Sequence, residues 1–181
     1  MKSVLISIQP KWVEKIASGE KTIEVRKTRP NLPTPFKCYI YCTKSRTNLF
    51  WVDEEIKDTD GLPKGLKAYN SRLGNGAVIG EFTCNRIDYI SPSYGYIDAR
   101  CVGGVGFILD KCCLTSKEFI EYGKGKPLYG WHISNLKIYD KPKSLEMFPI
   151  GKVARDCGYG NYNIYDKILT RPPQSWCYVE V

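Results

Sequence analysis

Alternating hydrophobic and polar positions predict β-strands along much of the chain. In the first strand, at residues 3–8, the side chains of Val4, Ile6 and Ile8 share one face. Longer or similar strands are predicted at residues 36–42, 77–90, 128–139 and 176–181. A further short strand is predicted at residues 49–52, inside an otherwise irregular segment. The pattern is therefore typical of a mainly β protein.

A short helix is predicted directly after the first strand. Pro10 lies where the first turn of a helix tolerates a missing N–H. The apolar positions that share one face of this helix are Trp12, Val13, Ile16 and Ala17. Gly19 follows them, as expected of the left-handed residue at which many helices end.

Residues 22–26 then alternate as a strand with two different faces. Ile23 and Val25 can face a core, while the polar residues of the strand share the other face. Together with the residue that precedes the strand, these polar residues are Lys21, Thr22, Glu24 and Arg26. This strand is the candidate functional site.

A second helix is predicted after residue 114. Thr115 and Glu118 have the spacing of a capping box, and Leu114 with Phe119 can form a hydrophobic staple. Gly123 ends this helix after about two turns.

The predicted elements, about six short strands and two helices without β–α–β alternation, favour an α+β fold that is mainly β. The expected architecture is a small, partly closed β-barrel with two short helices at its mouth. We expect a single domain over residues 1–181, in which residues 43–76 and 149–172 are variable loops or insertions.

Composition and charge narrow the function classes. The 181 residues are 43% hydrophobic and carry a net charge of +8. Such an excess of positive charge suits a polyanionic partner such as nucleic acid, and equally a basic surface that keeps the protein in solution. The longest apolar run near the N-terminus is too short for a signal peptide or a membrane span. We therefore expect a cytoplasmic protein with no membrane partner.

The eight cysteines favour buried free thiols over a metal site. No Cys-x-x-Cys pair occurs, and His132 is the only histidine, so the ligand spacing of a structural zinc site is missing. We expect neither a metal nor another cofactor.

The polar residues of the candidate strand have two interpretations. On spacing alone, a solvent-exposed face of an edge strand with a Glu–Arg pair is favoured. The other interpretation is a binding site. In this interpretation Arg26 makes a bidentate contact with a phosphate or carboxylate, and Lys21 supplies a point charge or a general base. Glu24 orients Arg26 or Lys21, or accepts a hydrogen bond from the amino group of a nucleobase.

The spacing Gly19-x-Lys21-x-x-Glu24-x-Arg26 resembles the G-x-K-x-x-E-x-R motif of the ASCH domain family, which belongs to the PUA-like superfamily. The stretch Ile6-Ser7-Ile8-x-Pro10 before it, and Pro173-Gln174-Ser175-Trp176 near the other end, are also similar to small ASCH-type proteins of phages and bacteria. The resemblance implies a PUA-like fold whose cleft, between barrel and helix, holds RNA or a nucleoside.

The candidate ligand-binding residues come partly from the resemblance and partly from the residues themselves. Besides the polar residues of the motif strand, the candidates are Trp12, Tyr41, Gln174 and Ser175. For Trp12 a core position is the favoured interpretation, although it lies near the motif. Gln174 and Ser175 precede a final strand that, in similar proteins, packs beside the motif strand. Tyr41 can stack on a base, although cross-strand packing with its neighbours is the favoured interpretation.

Three functions remain open. The preferred one is an RNA- or nucleotide-binding domain with a basic cleft around the motif. The first alternative is a small amidohydrolase-like enzyme acting on a modified nucleoside, with Lys21 and Glu24 as catalytic residues. The enzymes of that branch carry Thr three positions after the motif lysine, where this chain has Glu24, so binding is favoured. The second alternative is a phage-associated interaction protein without a nucleic-acid ligand.

Overall fold

The computed structural model describes residues 2–56, 68–93, 96–99, 104–156 and 162–181. Within these ranges the strands are β1 (Lys2–Ile8), β2 (Ile23–Arg26), β3 (Phe36–Cys42), β4 (Trp51–Ile56), β5 (Ala68–Leu73), β6 (Val78–Ser93), β7 (Tyr96–Ala99), β8 (Leu128–Lys143), β9 (Lys152–Asp156), β10 (Tyr162–Asp166) and β11 (Trp176–Glu180). The helices are α1 (Pro10–Ala17), α2 (Gly104–Cys112) and α3 (Ser116–Gly123), and Leu145–Met147 form one 3₁₀ turn.

The main sheet has the strand order β11-β1-β3-β6-β8-β2, and β7 pairs with β6 outside this path. Two further sheets have two strands each, β4 with β5 and β9 with β10. The predicted α+β, mainly β class is confirmed. In the described ranges the path has two open ends, so closure into a barrel stays a prediction.

The contacts of the chain group into two compact units. The first unit comprises Met1–Lys11, Tyr39–Gly80 and Lys137–Val181. In it, β1 runs antiparallel to β11, and the buried core residues are Leu5, Tyr39, Tyr41, Val78, Tyr139, Phe148 and Val179. The predicted loop segments 43–76 and 149–172 also belong to this unit and contain the antiparallel hairpins β4–β5 and β9–β10.

The second unit comprises Trp12–Cys38 and Glu81–Leu136. Strand β2 runs antiparallel to β8, with Ile23 opposite His132 and Arg26 opposite Tyr129. Helices α2 and α3 supply part of the buried core, whose residues are Ile23, Val25, Ile90, Ile108, Cys112, Phe119 and Leu128. This unit contains the whole motif strand.

Several local predictions are confirmed, and the structure contains elements that were not predicted. Helix α1 begins at Pro10, and Thr115 with Glu118 forms the predicted capping box. Helix α2 was not predicted. Strand β8 continues to Lys143, four residues beyond its predicted end at residue 139. Strands β9 and β10 lie where a loop was expected, and the glycine-rich stretch between them, residues 157–161, lies outside the described residues.

In the described part of the chain, none of the helices is both long and apolar enough to cross a lipid bilayer.

The connection between α1 and β2 depends on a left-handed glycine. Gly19 has a φ of +79°, and its N–H donates to the carbonyl of Ile16 at 3.0 Å. The next turn is closed by the N–H of Lys21, which donates to the carbonyl of Lys15 at 2.8 Å. Because a side chain at φ near +79° is strained, glycine at position 19 allows the chain to turn directly into the motif strand.

We expect Gly19→Ala to lower the free energy of unfolding by about 1 kcal/mol. A Cβ atom at this position would meet nothing within 4 Å, so the cost comes from the backbone conformation alone. Gly106→Ala is the matched control, because the space there is equally open and the residue is exposed inside α2. It should raise stability by about 0.5–1 kcal/mol. Urea unfolding of both variants checks this, and equal effects of the same sign would contradict it.

Candidate functional site

The charged residues of the motif strand are buried. Lys21 is 3% exposed, Glu24 6% and Arg26 7%, while Ile23 and Val25 on the opposite face are equally buried. The alternation predicted from the sequence is therefore present, but both faces of β2 are covered. The interpretation of these charges as a solvent-exposed face is wrong.

The three side chains form one ionic network, here called the charge cluster (Lys21, Glu24 and Arg26). Oε1 of Glu24 lies 3.0 Å from Nη2 of Arg26, and Oε2 of Glu24 lies 3.4 Å from Nζ of Lys21. Two cations and one carboxylate leave the cluster with a formal charge of +1. Because charges in a buried site are poorly screened by water, this excess favours an additional anion.

The ammonium group of Lys21 is fixed by the backbone. Its Nζ donates to the carbonyl of Ile23 at 2.9 Å and to the carbonyl of Cys112 at 2.8 Å. Cys112 is the last residue of α2, where the helix dipole stabilises a cation. These two carbonyls take two of the three N–H donors of the ammonium group, and the Glu24 carboxylate lies 3.4 Å away, at an ion-pair distance. Lys21 is therefore placed to position Glu24.

Glu24 has an oxygen that the fold leaves without a hydrogen bond. Its Oε2 atom is buried and has no hydrogen-bond partner among the described residues, although the Lys21 ammonium lies 3.4 Å away. A buried acceptor in this state costs free energy relative to a satisfied one. An N–H or O–H group of a ligand would remove that cost once the side chains that close this oxygen off from solvent move aside.

Aromatic side chains surround the charge cluster. Trp131 lies opposite Glu24 across the β2–β8 pair, is fully buried, and its ring packs edge-to-face on Phe36 at 5.9 Å between centroids. Burial raises the pKa of Tyr122, while the Arg26 guanidinium lowers it and the Glu24 carboxylate raises it. Tyr122 on α3 therefore lies within electrostatic reach of the charge cluster.

The other predicted residues of the second unit lie next to the charge cluster. The ring of the half-buried Trp12 is 5.2 Å from Nζ of Lys21, close enough for a cation–π contact. Thr22 is also half-buried. Its N–H donates to the carbonyl of Lys111, and its carbonyl accepts from the N–H of Ile133, both at 2.9 Å. Trp12 and Thr22 thus share the surroundings of Lys21.

Tyr41, Gln174 and Ser175 belong to the first unit. Tyr41 is 3% exposed and packs in the core of that unit, which favours its packing interpretation over base stacking. The carbonyl of Ser175 accepts from the N–H of Ser7 at 2.9 Å, and Gln174 is exposed. The ligand-binding roles of these three residues stay predictions.

The thiols and the histidine have ordinary structural surroundings. Burial raises the pKa of Cys84 to about 12 and that of Cys112 to about 11, so both stay protonated at neutral pH. His132 contacts Asp88 through Nε2 and Oδ2 at 2.7 Å, and it lies opposite Ile23, on the face of β8 that does not carry Trp131. No group of metal-ligating side chains occurs among the described residues.

Comparison with solved structures identifies the fold. The crystal structure of the ASCH protein from Zymomonas mobilis matches with a TM-score of 0.55 and 16% sequence identity, covering 98% of this chain and 87% of that one. Structures of two single-residue mutants of the same protein match with TM-scores of 0.52 and 17% identity, covering 99% and 98% of this chain and 91% and 88% of theirs. The chain has the ASCH fold. No family model and no curated protein sequence matches it.

The ASCH fold predicted from the motif is thus confirmed over nearly the whole chain. What the sequence did not reveal is the contribution of α2, whose final carbonyl holds Lys21. A possible signal was the apolar run at residues 107–109 between polar turns, but periodicity does not distinguish a short buried helix from a strand. The aromatic surroundings of β2, notably Tyr122, were also missed, because they come from distant parts of the sequence.

Proposed function

We propose that this ASCH-fold chain binds RNA through one nucleotide unit held at the charge cluster. The observation that carries this proposal is Oε2 of Glu24, a buried acceptor without a hydrogen bond among the described residues. It belongs to a carboxylate that contacts Lys21 through Oε2 and Arg26 through Oε1. The net charge of +8 supports it, because a basic protein attracts polyanions and releases their counterions on binding.

Each residue of the charge cluster has a distinct role. Glu24 accepts a hydrogen bond from a base amino group or a ribose hydroxyl. Arg26 holds Glu24 in place through its 3.0 Å contact and contributes the positive charge that favours a phosphate. Lys21 positions Glu24 from the other side, and Trp12 covers Lys21.

The hydrolase alternative is less well supported. The Nζ atom of Lys21 donates to two backbone carbonyls and lies beside the Glu24 carboxylate, so it is engaged in structural contacts and not directed at a substrate. The position that carries the nucleophilic threonine in the amidase branch is Glu24 here. No feature of the described site specifically supports the interpretation as a phage-associated interaction protein. That interpretation would remain if the protein bound neither nucleotides nor RNA.

We expect Glu24→Gln to weaken the binding of 5′-mononucleotides and of a single-stranded RNA by about tenfold or more. The variant keeps the size of the side chain but replaces a charged acceptor by a weaker amide, and hydrogen bonds to charged groups are worth about 1.5–3 kcal/mol. Tryptophan fluorescence titration at two salt concentrations measures the effect, since Trp12 lies beside the site. Glu81→Gln is the matched control, because Glu81 pairs with the exposed Lys37 in the same unit.

A second variant distinguishes a loss of binding from a loss of folding. Arg26→Lys keeps the charge of the cluster but removes the planar guanidinium with its paired N–H donors. It should therefore weaken the binding of nucleotides more than the binding of nucleosides. Both variants must keep the wild-type circular dichroism spectrum. Wild-type protein that binds no nucleotide and no RNA, or a folded Glu24→Gln that binds like the wild type, would contradict the proposal.

A further inference from the structure

A second group of cations follows the charge cluster along the chain and is exposed. Directly after β2, the exposed side chains of Lys27 and Arg29 lie against tyrosine rings. Nζ of Lys27 is 4.9 Å from the ring centroid of Tyr122, and Cζ of Arg29 is 5.9 Å from that of Tyr129. The ring of Tyr129 in turn packs edge-to-face on Tyr89 at 5.8 Å between centroids.

These five residues, Lys27, Arg29, Tyr89, Tyr122 and Tyr129, are here called the basic–aromatic surface. Within the described residues, neither Lys27 nor Arg29 forms an ion pair with a carboxylate. Tyr89 is 51% exposed and Tyr122 39% exposed, so two ring faces or edges remain open to a ligand. Exposed cations interleaved with exposed aromatic rings are the features with which proteins bind single-stranded nucleic acid.

The basic–aromatic surface is continuous with the charge cluster. Tyr129 lies directly opposite Arg26 in the β2–β8 pair, and side chains of such pairs lie on the same face with Cβ atoms about 5 Å apart. Tyr122 lies within electrostatic reach of both Arg26 and Glu24. A nucleic-acid strand bound at the charge cluster would therefore extend over the basic–aromatic surface.

We propose that the basic–aromatic surface binds the nucleotides of single-stranded RNA that flank the unit held at the charge cluster. Lys27 and Arg29 contact backbone phosphates, while Tyr89 and Tyr122 stack on bases. The inference rests on the proposed function, because the charge cluster fixes one end of the strand. The aromatic rings favour a single strand over a duplex, whose bases are already stacked on one another.

The test compares a single-stranded RNA of about 12 nucleotides with 5′-mononucleotides, using the intact chain. In Lys27→Ala/Arg29→Ala, the affinity for the RNA should fall about tenfold or more, and the slope of log K against log salt should decrease by about 1.4. Tyr89→Ala should lower the affinity for the RNA by about tenfold. Mononucleotide affinity should stay within about twofold of the wild type in each variant, because mononucleotides reach only the charge cluster.

Matched controls come from the first unit. Lys2→Ala removes an exposed lysine that lies 4.0 Å from the Tyr178 ring, and Tyr69→Ala removes a tyrosine that is 54% exposed. Both should bind the RNA like the wild type. The inference would be overturned if the variants of the basic–aromatic surface bound the RNA as tightly as these controls. It would also be overturned if the wild-type protein bound a duplex of the same length, or polyglutamate, as tightly as the single-stranded RNA.

The two proposals fail in different ways. If Glu24→Gln weakens mononucleotides but the surface variants bind RNA normally, the basic–aromatic surface is overturned and the proposed function stands. If RNA binding depends on the surface variants and not on Glu24, the proposed function is overturned, together with the part of the inference that rests on it.

Discussion

Lys21→Met is expected to lower the free energy of unfolding by about 3–5 kcal/mol, because it removes one partner of a buried ionic network. Methionine fills a similar volume, so the effect reports the loss of the ammonium group and not a cavity. The carbonyls of Ile23 and Cys112 lose their donor, and Glu24 loses one of its two cations. Each of these groups stays buried, so water does not replace the lost contacts.

Urea unfolding followed by tryptophan fluorescence measures this change. Lys37→Met is the matched control, because Lys37 pairs with Glu81 at 3.0 Å in the same unit while 46% of its side chain is exposed. An exposed pair of this kind is worth about 0–1 kcal/mol. Equal effects of the two substitutions would contradict the assignment of Lys21 as a buried structural cation.

Glu24→Leu is expected to cost a similar amount, about 3–5 kcal/mol, since it leaves two buried cations without their carboxylate. Adding Arg26→Leu should restore about 2 kcal/mol, because one of the two buried cations that contact Glu24 is then removed. Lys21 keeps its two backbone acceptors in the double variant.

A double-mutant cycle over Glu24 and Arg26 tests this expectation. The single variants, the double variant and the wild type are unfolded in urea under identical conditions. The double variant should be more stable than Glu24→Leu alone. Strictly additive losses at the two positions would mean that the 3.0 Å contact between Glu24 and Arg26 contributes no coupling.

These stability effects also bear on why the chain has a charged cluster in a buried position. Replacing a buried ion network by apolar residues is often neutral or stabilising, so such a network is weak evidence for a purely structural role. A net charge of +1 and a carboxylate oxygen without a hydrogen bond are unfavourable for stability alone. Both features are suited to a ligand that carries an anion and a hydrogen-bond donor.

Local signals were sufficient to predict the elements that deliver the motif. Pro10 at the start of α1, the left-handed Gly19 and the alternation through Arg26 are each set by neighbouring residues. The capping box of Thr115 and Glu118 is local in the same sense, and it was predicted correctly.

The burial of the motif could not be predicted from the sequence, because it depends on distant partners. The carbonyl of Cys112 reaches Lys21 across 91 positions in the chain, and Trp131 comes to lie opposite Glu24 only through the β2–β8 register. A charged strand face has the same alternating pattern whether water or another part of the protein covers it. The spacing of Glu24 and Arg26 therefore suggested an exposed ion pair, which the structure contradicts.

The most direct test of the central claim is a crystal structure of the protein with a bound 5′-mononucleotide. We predict that a base amino group or a ribose hydroxyl of the nucleotide lies about 3 Å from Oε2 of Glu24, with Lys21 and Arg26 on either side of that carboxylate. A nucleotide bound elsewhere, with Oε2 of Glu24 still without a hydrogen bond, would contradict it.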